Sequence, residues 1–470
     1  MARSSAARPK ARTFLGEMLD RFAEKAAVTV MVRATMENAL APEPLDELFD
    51  KVAERQYTRE LLFSTLVALM AVVVCRVRKS VHAAFKAMQD EIPVSLTALY
   101  DKLDGTEANV SAALVRQTAT RLRAVVEATG GALPPLFPGY RVKILDGNHL
   151  AATQRRIKAL RGCKAGPLPG FGLVVLDPAL MLAIELIPCE DGHAQERSLT
   201  AQIVGLVEPG DVWIVDRNFC TVALLFGIAK DGFFVARQHG SLPWTPGGPS
   251  REAGRTATGR VTEQEAIVVD AEQHVLHLRR ITLHLDDYTR DGDGELHILT
   301  NLPQEIPATA IADAYRERWT IEGLFAELER NLDGEINTLG YPKAALFAFA
   351  TALVAYNVFS TAKAAMRAQH GVEVIEEGLS DYYVADELSG TYRGMMIAVP
   401  EPEWNVFRTF TPAQLAALLV TLAANVELRR LSKKRCGRRG PRLARLRYRN
   451  KQHVSTFRLL AARRPARRAP

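Results

Sequence analysis

From Arg429 to Pro470 the chain contains no aspartate or glutamate. Seventeen of its 60 lysines and arginines fall in that stretch, so the preceding 428 residues carry a net charge of −10 although the whole chain is at +7. An acidic body with a basic end of one sign asks for a polyanionic partner. Cysteine is scarce, with five in 470 residues, none at Cys-x-x-Cys spacing. That excludes a disulfide framework and a thiolate zinc site, and it fits free thiols in a reducing cytoplasm. Long apolar runs are missing too. "LLFSTLVALMAVVVC" from Leu61 and "AALFAFATALVAYNVF" from Ala344 stop short of the roughly 18 to 20 residues that a membrane span needs. Both read as buried core helices, and no membrane is expected as a partner. The N-terminal "MARSSAARPKARTFLG" lacks the apolar core of a secretory signal.

What is present is a chain that is 48% hydrophobic, enough for a sizeable core over roughly three average domains. Residues 12 to about 128 repeat apolar positions every three or four residues, the period of helices. Residues 1–130 are therefore expected to form an all-α domain. Inside it, "KSVHAAFKAMQDEIPVSLTALYDKL" reads as helix, break at Pro93, helix capped by Ser95, which fits a helix-turn-helix or two packed core helices. "TGGALPPLFPG" is a linker. From Tyr140 the period changes to strands: "YRVKILDG", "FGLVVLDP", "LAIELIP", "DVWIVDR" and "GFFVARQ", with helical runs before and after the fourth. The order β-β-β-α-β-α-β predicts an α/β fold, a mixed sheet flanked by helices, over 138–238. Residues 239–303, with "PWTPGGPS", "RDGDGE" and three period-two runs, predict an all-β insertion. Residues 304–428 return to helix, and 429–470 form the basic tail.

Two aspartates stand at predicted strand ends, Asp146 in "ILDGNHL" and Asp216 in "IVDRNF". In this order the first and fourth strands lie side by side and parallel, which brings their carboxyl ends together. Two adjacent carboxylates repel, and a divalent cation such as Mg²⁺ or Mn²⁺ relieves that best. The segment "AYRERWTIEGLFAELERNLDG" from Ala314 reads as one continuous amphipathic helix. Its core face holds Ala314, Ile321, Leu324, Phe325 and Leu328, and Arg316, Thr320, Gly323 and Glu327 fall on a solvated face. Tyr315, Arg318, Glu322 and Glu329 form a stripe at the edge of the core face. Glu322 there suits either a shared cation or an i, i+4 ion pair with Arg318. Glu317 falls awkwardly on the core side. Glu196, in "CEDGHAQERS", is the strongest rival acidic ligand.

These residues resemble the DDE transposases of the insertion-sequence-four type. The resemblance rests on Asp146, on Asp216 in "VDRNF", and on Tyr315-x₂-Arg318-x₃-Glu322 with its "RW" pair, and it spans roughly residues 138 to 360. It implies a ribonuclease H-like core interrupted by an all-β insertion between the second Asp and the Glu. It implies catalysis by Asp146, Asp216 and Glu322 holding two divalent metal ions, Mg²⁺ or Mn²⁺. It implies phosphate contacts from Tyr315 and Arg318, and Arg217 and Arg237 stand after their strands where they can add more. The implied partners are double-stranded DNA, as terminal inverted repeats and as target, and a second copy of the chain on that DNA, in a bacterial cytoplasm close to the nucleoid. The implied reaction is cleavage at element ends followed by strand transfer. A nuclease without strand transfer and an inactive DNA-binding relic are the alternatives. One position departs from the family: Glu329 stands where it has a lysine.

Overall fold

Two faces of one sheet account for most of the interior. The fold was obtained as a computed structural model that describes residues 16–56, 58, 60–150, 168–289, 292–336 and 338–433. The basic tail beyond Lys433 lies outside the described residues. The part up to Ser432 forms one unit.

The N-terminal part is helical, as its period requires: α1 (Glu17–Lys25), α2 (Ala27–Ala39), α3 (Pro42–Val52), α4 (Phe63–Val74), α5 (Val81–Ala87), α6 (Leu96–Gly105) and α7 (Ala108–Thr129). Ser95 caps α6 as expected, its hydroxyl accepting from the Ala98 N–H at 3.2 Å. Gly130 ends α7 in the left-handed conformation at φ 70°, which glycine adopts without a Cβ penalty. The linker is pressed close to the core: a Cβ on Gly131 would fall 1.8 Å from the Ala364 carbonyl oxygen.

The sheet comprises β1 (Arg141–Leu150), β2 (Gly170–Asp177), β3 (Leu182–Cys189), β4 (Asp211–Val215), β5 (Phe233–Arg237), β6 (Thr245–Pro246), β7 (Arg251–Thr256), β8 (Gly259–Val269), β9 (Val275–Leu285) and β10 (Glu295–Thr300). Short helices α8 (Thr200–Val204) and α9 (Val222–Ala229) flank β4. The spatial order is β3-β2-β1-β4-β5-β10-β9-β8-β6, with β7 beside β8. β1 and β4 are parallel neighbours, in register from Arg141 and Asp211 to Leu145 and Val215. Strands of the 239–303 segment do not stand apart, because β10 pairs antiparallel with β5 and carries the sheet onward.

Period-two alternation splits the strands between two cores. Ile144, Val174, Ile214 and Val235 face one side, with the N-terminal helices. Leu145, Leu173, Trp213 and Phe234 face the other, with α8 and α9. The first side is closed by α12 (Pro342–His370), which follows α10 (Ala308–Arg316) and α11 (Trp319–Arg330). Helix α12 is longer than its apolar run suggests; by length and composition it could cross a membrane, but that window is wholly buried within the protein. Its Asn357 amide pins it to the outermost strand, bonding the Ala183 N–H at 2.7 Å and carbonyl at 2.8 Å. Helices α13 (Val372–Gly378), α14 (Asp381–Ala398), α15 (Glu401–Asn405) and α16 (Pro412–Ala423) follow among the described residues.

Three local expectations are corrected. Strand β1 does not end at Asp146 but runs on to Leu150, still paired with β2. The expected single helix from Ala314 is broken between α10 and α11. Across the break the bonds are of the i to i−3 kind: Glu317 N–H to Ala314, Arg318 to Tyr315, Thr320 to Glu317 and Ile321 to Arg318. Such a turn holds three residues rather than 3.6, so the phase of the helix face shifts. Glu317 thereby reaches solvent and Arg318 becomes buried. Glu327, expected on a wet face, instead enters a largely enclosed ionic cluster with Lys363 of α12 and Asp381 of α14.

Candidate active site

The parallel pairing of β1 and β4 stops at Leu145 and Val215, and the next residue in the chain after each is an aspartate. Adjacent strands run roughly 4.8 Å apart, so Asp146 and Asp216 leave neighbouring positions. Asp216 starts a short 3₁₀ turn, Arg217–Phe219, and its carboxylate accepts from the Asn218 N–H. Asp146 accepts from the Gly147 N–H at 2.9 Å.

The 3₁₀ junction before α11 delivers the third element. Arg318 donates from Nη1 to Asp146 Oδ2 at 3.0 Å and from Nη2 to Glu322 Oε1 at 2.7 Å. The guanidinium therefore links a strand carboxylate to a helix carboxylate 176 positions later in the chain. Its side chain is only 10% exposed, against 20% for Asp146 and 41% for Glu322. Tyr315 is buried against the same guanidinium, and burial pushes its phenol up to about 12 despite Arg318 and Arg237 nearby. Of the two roles foreseen for Glu322, the i, i+4 pair with Arg318 is present, and through that guanidinium Glu322 is linked to Asp146.

Charge in this pocket is unbalanced. Burial pushes the Asp146 carboxyl up to about 6; the Gly147 N–H and Arg318 oppose the rise, and Asp216 and Glu196 add to it. Glu196 is raised as well, first by burial and then by the charge of Asp216, with Asn218 opposing. Among the described residues no cation lies within ion-pair distance of Asp216 or Glu196. Carboxylate oxygens in a half-dry, over-negative pocket are the donor set that Mg²⁺ or Mn²⁺ takes, so the residues fit a hard divalent ion. One other group was not foreseen. Asp270, Glu272 and His274, at the turn between β8 and β9, have ligand atoms all within 4.8 Å of one another, which the three acids of the pocket do not.

The remaining expected residues fall around this pocket with different surroundings. Arg217 is exposed beside Asp216. Arg237, at the end of β5, is paired with Asp293 at 2.8 Å. An open cleft of about 710 Å³ adjoins Glu322, with Asn148, Phe325, Glu329 and Asp333 among its walls. Glu329 is thus a surface acid at the rim, and among the described residues no lysine lines this wall. Arg76 instead caps the end of α11, bonding the carbonyls of Glu329, Arg330 and Leu332 at 2.7 to 3.1 Å. Trp244 is half-buried beneath the Arg280 guanidinium, 4.6 Å from its ring centre, a packed tryptophan.

Residues 138–358 match the family model of the transposase DDE domain. The matched segment includes Asp146, Asp216, Tyr315, Arg318 and Glu322. No curated protein matches the chain. Among solved structures, the chain is similar to the piggyBac transposase in a synaptic complex with hairpin DNA, determined by cryo-electron microscopy. That likeness has a TM-score of 0.39 at 10% identity and covers 83% of this chain and 86% of the other.

Proposed function

We propose that the protein is a DDE transposase of the insertion-sequence-four type, cutting DNA at the ends of its element and joining the freed 3′ ends to target DNA. The observation that carries the reading is the meeting of Asp146, Arg318 and Glu322 next to Asp216, from three elements that the sheet and the 3₁₀ junction bring together. The order β3-β2-β1-β4-β5, with β2 antiparallel and β4 and β5 parallel to β1, supports a ribonuclease H-like core for residues 138–238 and 304–428. In this reading 239–303 is the insertion, 1–130 a helical DNA-binding region and 429–470 a backbone-binding tail.

Asp146, Asp216 and Glu322 would hold divalent ions, Mg²⁺ or Mn²⁺, which activate the attacking oxygen and stabilise the leaving one. The protein's own groups do the rest. Asp146 must be ionised to act as a ligand, and burial works against that, so its carboxylate is poised to gain from any added positive charge. Arg318 and Tyr315 orient the phosphate beside the scissile bond through charge-assisted hydrogen bonds. Arg318 is already at the site, bonded to Asp146 and Glu322, with its Nε buried. Arg217 adds a contact from the exposed side, and Arg237 does so once Asp293 releases it. Two element ends must be held together, so the working form is a homodimer on DNA.

Glu329 favours a second reading. An acid at the rim repels a phosphate where the family has a cation, which suits a protein that cuts without joining, or one that only binds. Cleavage of a linear fragment bearing the element's flanking repeats, with Mg²⁺, tests this. Wild type is expected to cut and Asp216→Ala is not; equal cutting by both removes the site assignment. Insertion into a supercoiled plasmid then separates transposase from nuclease.

A further inference from the structure

The turn between α4 and α5 is held onto the far end of the helix that carries Glu322. Arg76 takes the left-handed backbone conformation, φ 57°, at a cost of roughly 1 to 2 kcal/mol for a residue with a side chain. Its guanidinium offsets that by capping the last carbonyls of α11, those of Glu329, Arg330 and Leu332. Two more bonds fix the turn. The Asp333 N–H donates to the Val74 carbonyl at 2.8 Å, and Arg393 of α14 donates from Nε to the Val77 carbonyl. The backbone after Arg76 is thereby set beside α11, and it continues with Arg78 and Lys79. Five cations therefore gather here: Arg76, Arg78, Lys79, Arg330 and Arg393. Four are exposed and Arg78 is half-buried. Among the described residues none of the five has a carboxylate within ion-pair distance, although Arg76 feels the charge of Asp333. Asp291 is the only acid outside the described residues, and it belongs to the stretch between β9 and β10.

We propose that this turn is a DNA-backbone contact surface, on which Arg78 and Lys79, flanked by Arg330 and Arg393, hold phosphates to one side of the scissile bond. This rests on the DDE reading of Asp146, Asp216 and Glu322, and it places on the α4–α5 turn the cations that Glu329 denies to the wall of the cleft. Two observations carry it. The first is the concentration of unpaired positive charge on a body that is otherwise acidic, with 17 of the cations of the chain set apart in its tail. Like charges crowded on a fixed turn repel one another, and a polyanion relieves that while its own counterions are released. The second is distance. Eight residues separate Glu322 from Arg330 on one helix, a rise of about 12 Å. A DNA strand advances about 3.4 Å per nucleotide, so the phosphates held here lie roughly three to four nucleotides from the cut. The capping by Arg76 keeps that spacing fixed, because it ties the turn to the same helix that presents Glu322.

The test is binding of the full chain to a labelled duplex bearing the element's flanking repeats, followed by fluorescence anisotropy in EDTA from about 50 to 200 mM salt. The double variant Arg78→Gln, Lys79→Gln should lower the slope of log K against log salt by roughly two, and each single variant by about one. Lys230→Gln removes an exposed cation at the end of α9, on the other face of the sheet, and should leave the slope unchanged. Neutral methylphosphonates placed about three or four nucleotides from the cut should weaken binding of the wild type but not of the double variant, because both changes remove one contact. Far-ultraviolet circular dichroism shows that each variant is folded. A wild-type slope in the folded double variant, or an equal loss in Lys230→Gln, overturns the surface. Asp216→Ala should keep the wild-type slope and lose cleavage with Mg²⁺. Wild-type cutting by Asp216→Ala overturns instead the site from which the spacing is measured.

Discussion

Replacing Arg318 with methionine keeps the length and apolar contact of the side chain but removes the guanidinium between Asp146 and Glu322. The two bonds are unequal. Asp146 is 20% exposed, so the charge-assisted bond at 3.0 Å keeps most of its strength, about 1.5 to 3 kcal/mol. Glu322 is 41% exposed, and solvent screens its bond down to roughly 0.5 kcal/mol. The expected loss at pH 7.5 is thus about 2 to 3.5 kcal/mol. A unit of 432 residues has an unfolding entropy of roughly 0.9 kcal/mol/K, so Tm should fall by about 2 to 4 °C. The sign of the pH dependence follows from Asp146, whose value is raised from 3.8 to about 6 in the folded state. The folded protein then binds the proton more tightly than the unfolded chain, and this group adds stability as pH falls through 6 toward 4. A neutral Asp146 has little use for a guanidinium, so the deficit of the variant should shrink between pH 7.5 and 5. Scanning calorimetry at the two pH values measures both effects. A deficit of the same size at pH 5, or none at pH 7.5, would refute the coupling of Arg318 to Asp146.

Two further outcomes are expected. Lys363→Met leaves Glu327, Asp381 and Glu376 without the ammonium that bonds Asp381 at 2.9 Å, and should cost about 3 kcal/mol by urea unfolding. Glu327, pushed up to about 7 chiefly by burial, takes a proton as pH falls through that value, so the loss should diminish in acid. Removal of residues 434–470 should leave the thermal unfolding of the remainder in place but flatten the salt dependence of DNA binding; if about ten of its cations meet phosphates, the slope of log K against log salt drops by roughly nine. An unchanged slope would exclude the tail from the DNA interface.

The β1 to β5 strands and the helices around β4 were legible because their side chains alternate on two buried faces, a local signal. Asp146 and Asp216 could be set side by side from strand order alone. What escaped was decided by distant partners or by subtle backbone changes. No glycine or proline marks the junction at Glu317 and Arg318; its 3₁₀ bonds follow from burying Arg318 between two acids, one of them far away in sequence. The same shift explains Glu317, which no continuous helix could place. Glu327 reads as a surface residue until α12 and α14 pack over it. Gly147 looks like a turn residue after an aspartate, and only the arrival of Glu196, whose Oε1 lies 2.1 Å from where a Cβ would stand, shows why a side chain is not tolerated. The pairing of β10 with β5 is a contact across more than fifty residues, beyond the reach of local pattern.

That pairing has a practical side. Between Asp216 and Glu322 the polypeptide travels out through β8 and returns through β9, and the paired ladder anchors both ends before α10 begins. The bend at residues 270–274 closes one end of this ladder, and residues 271–274 are exposed. A reporter peptide or small folded module could be grafted into that bend without shifting the acids on either side of it.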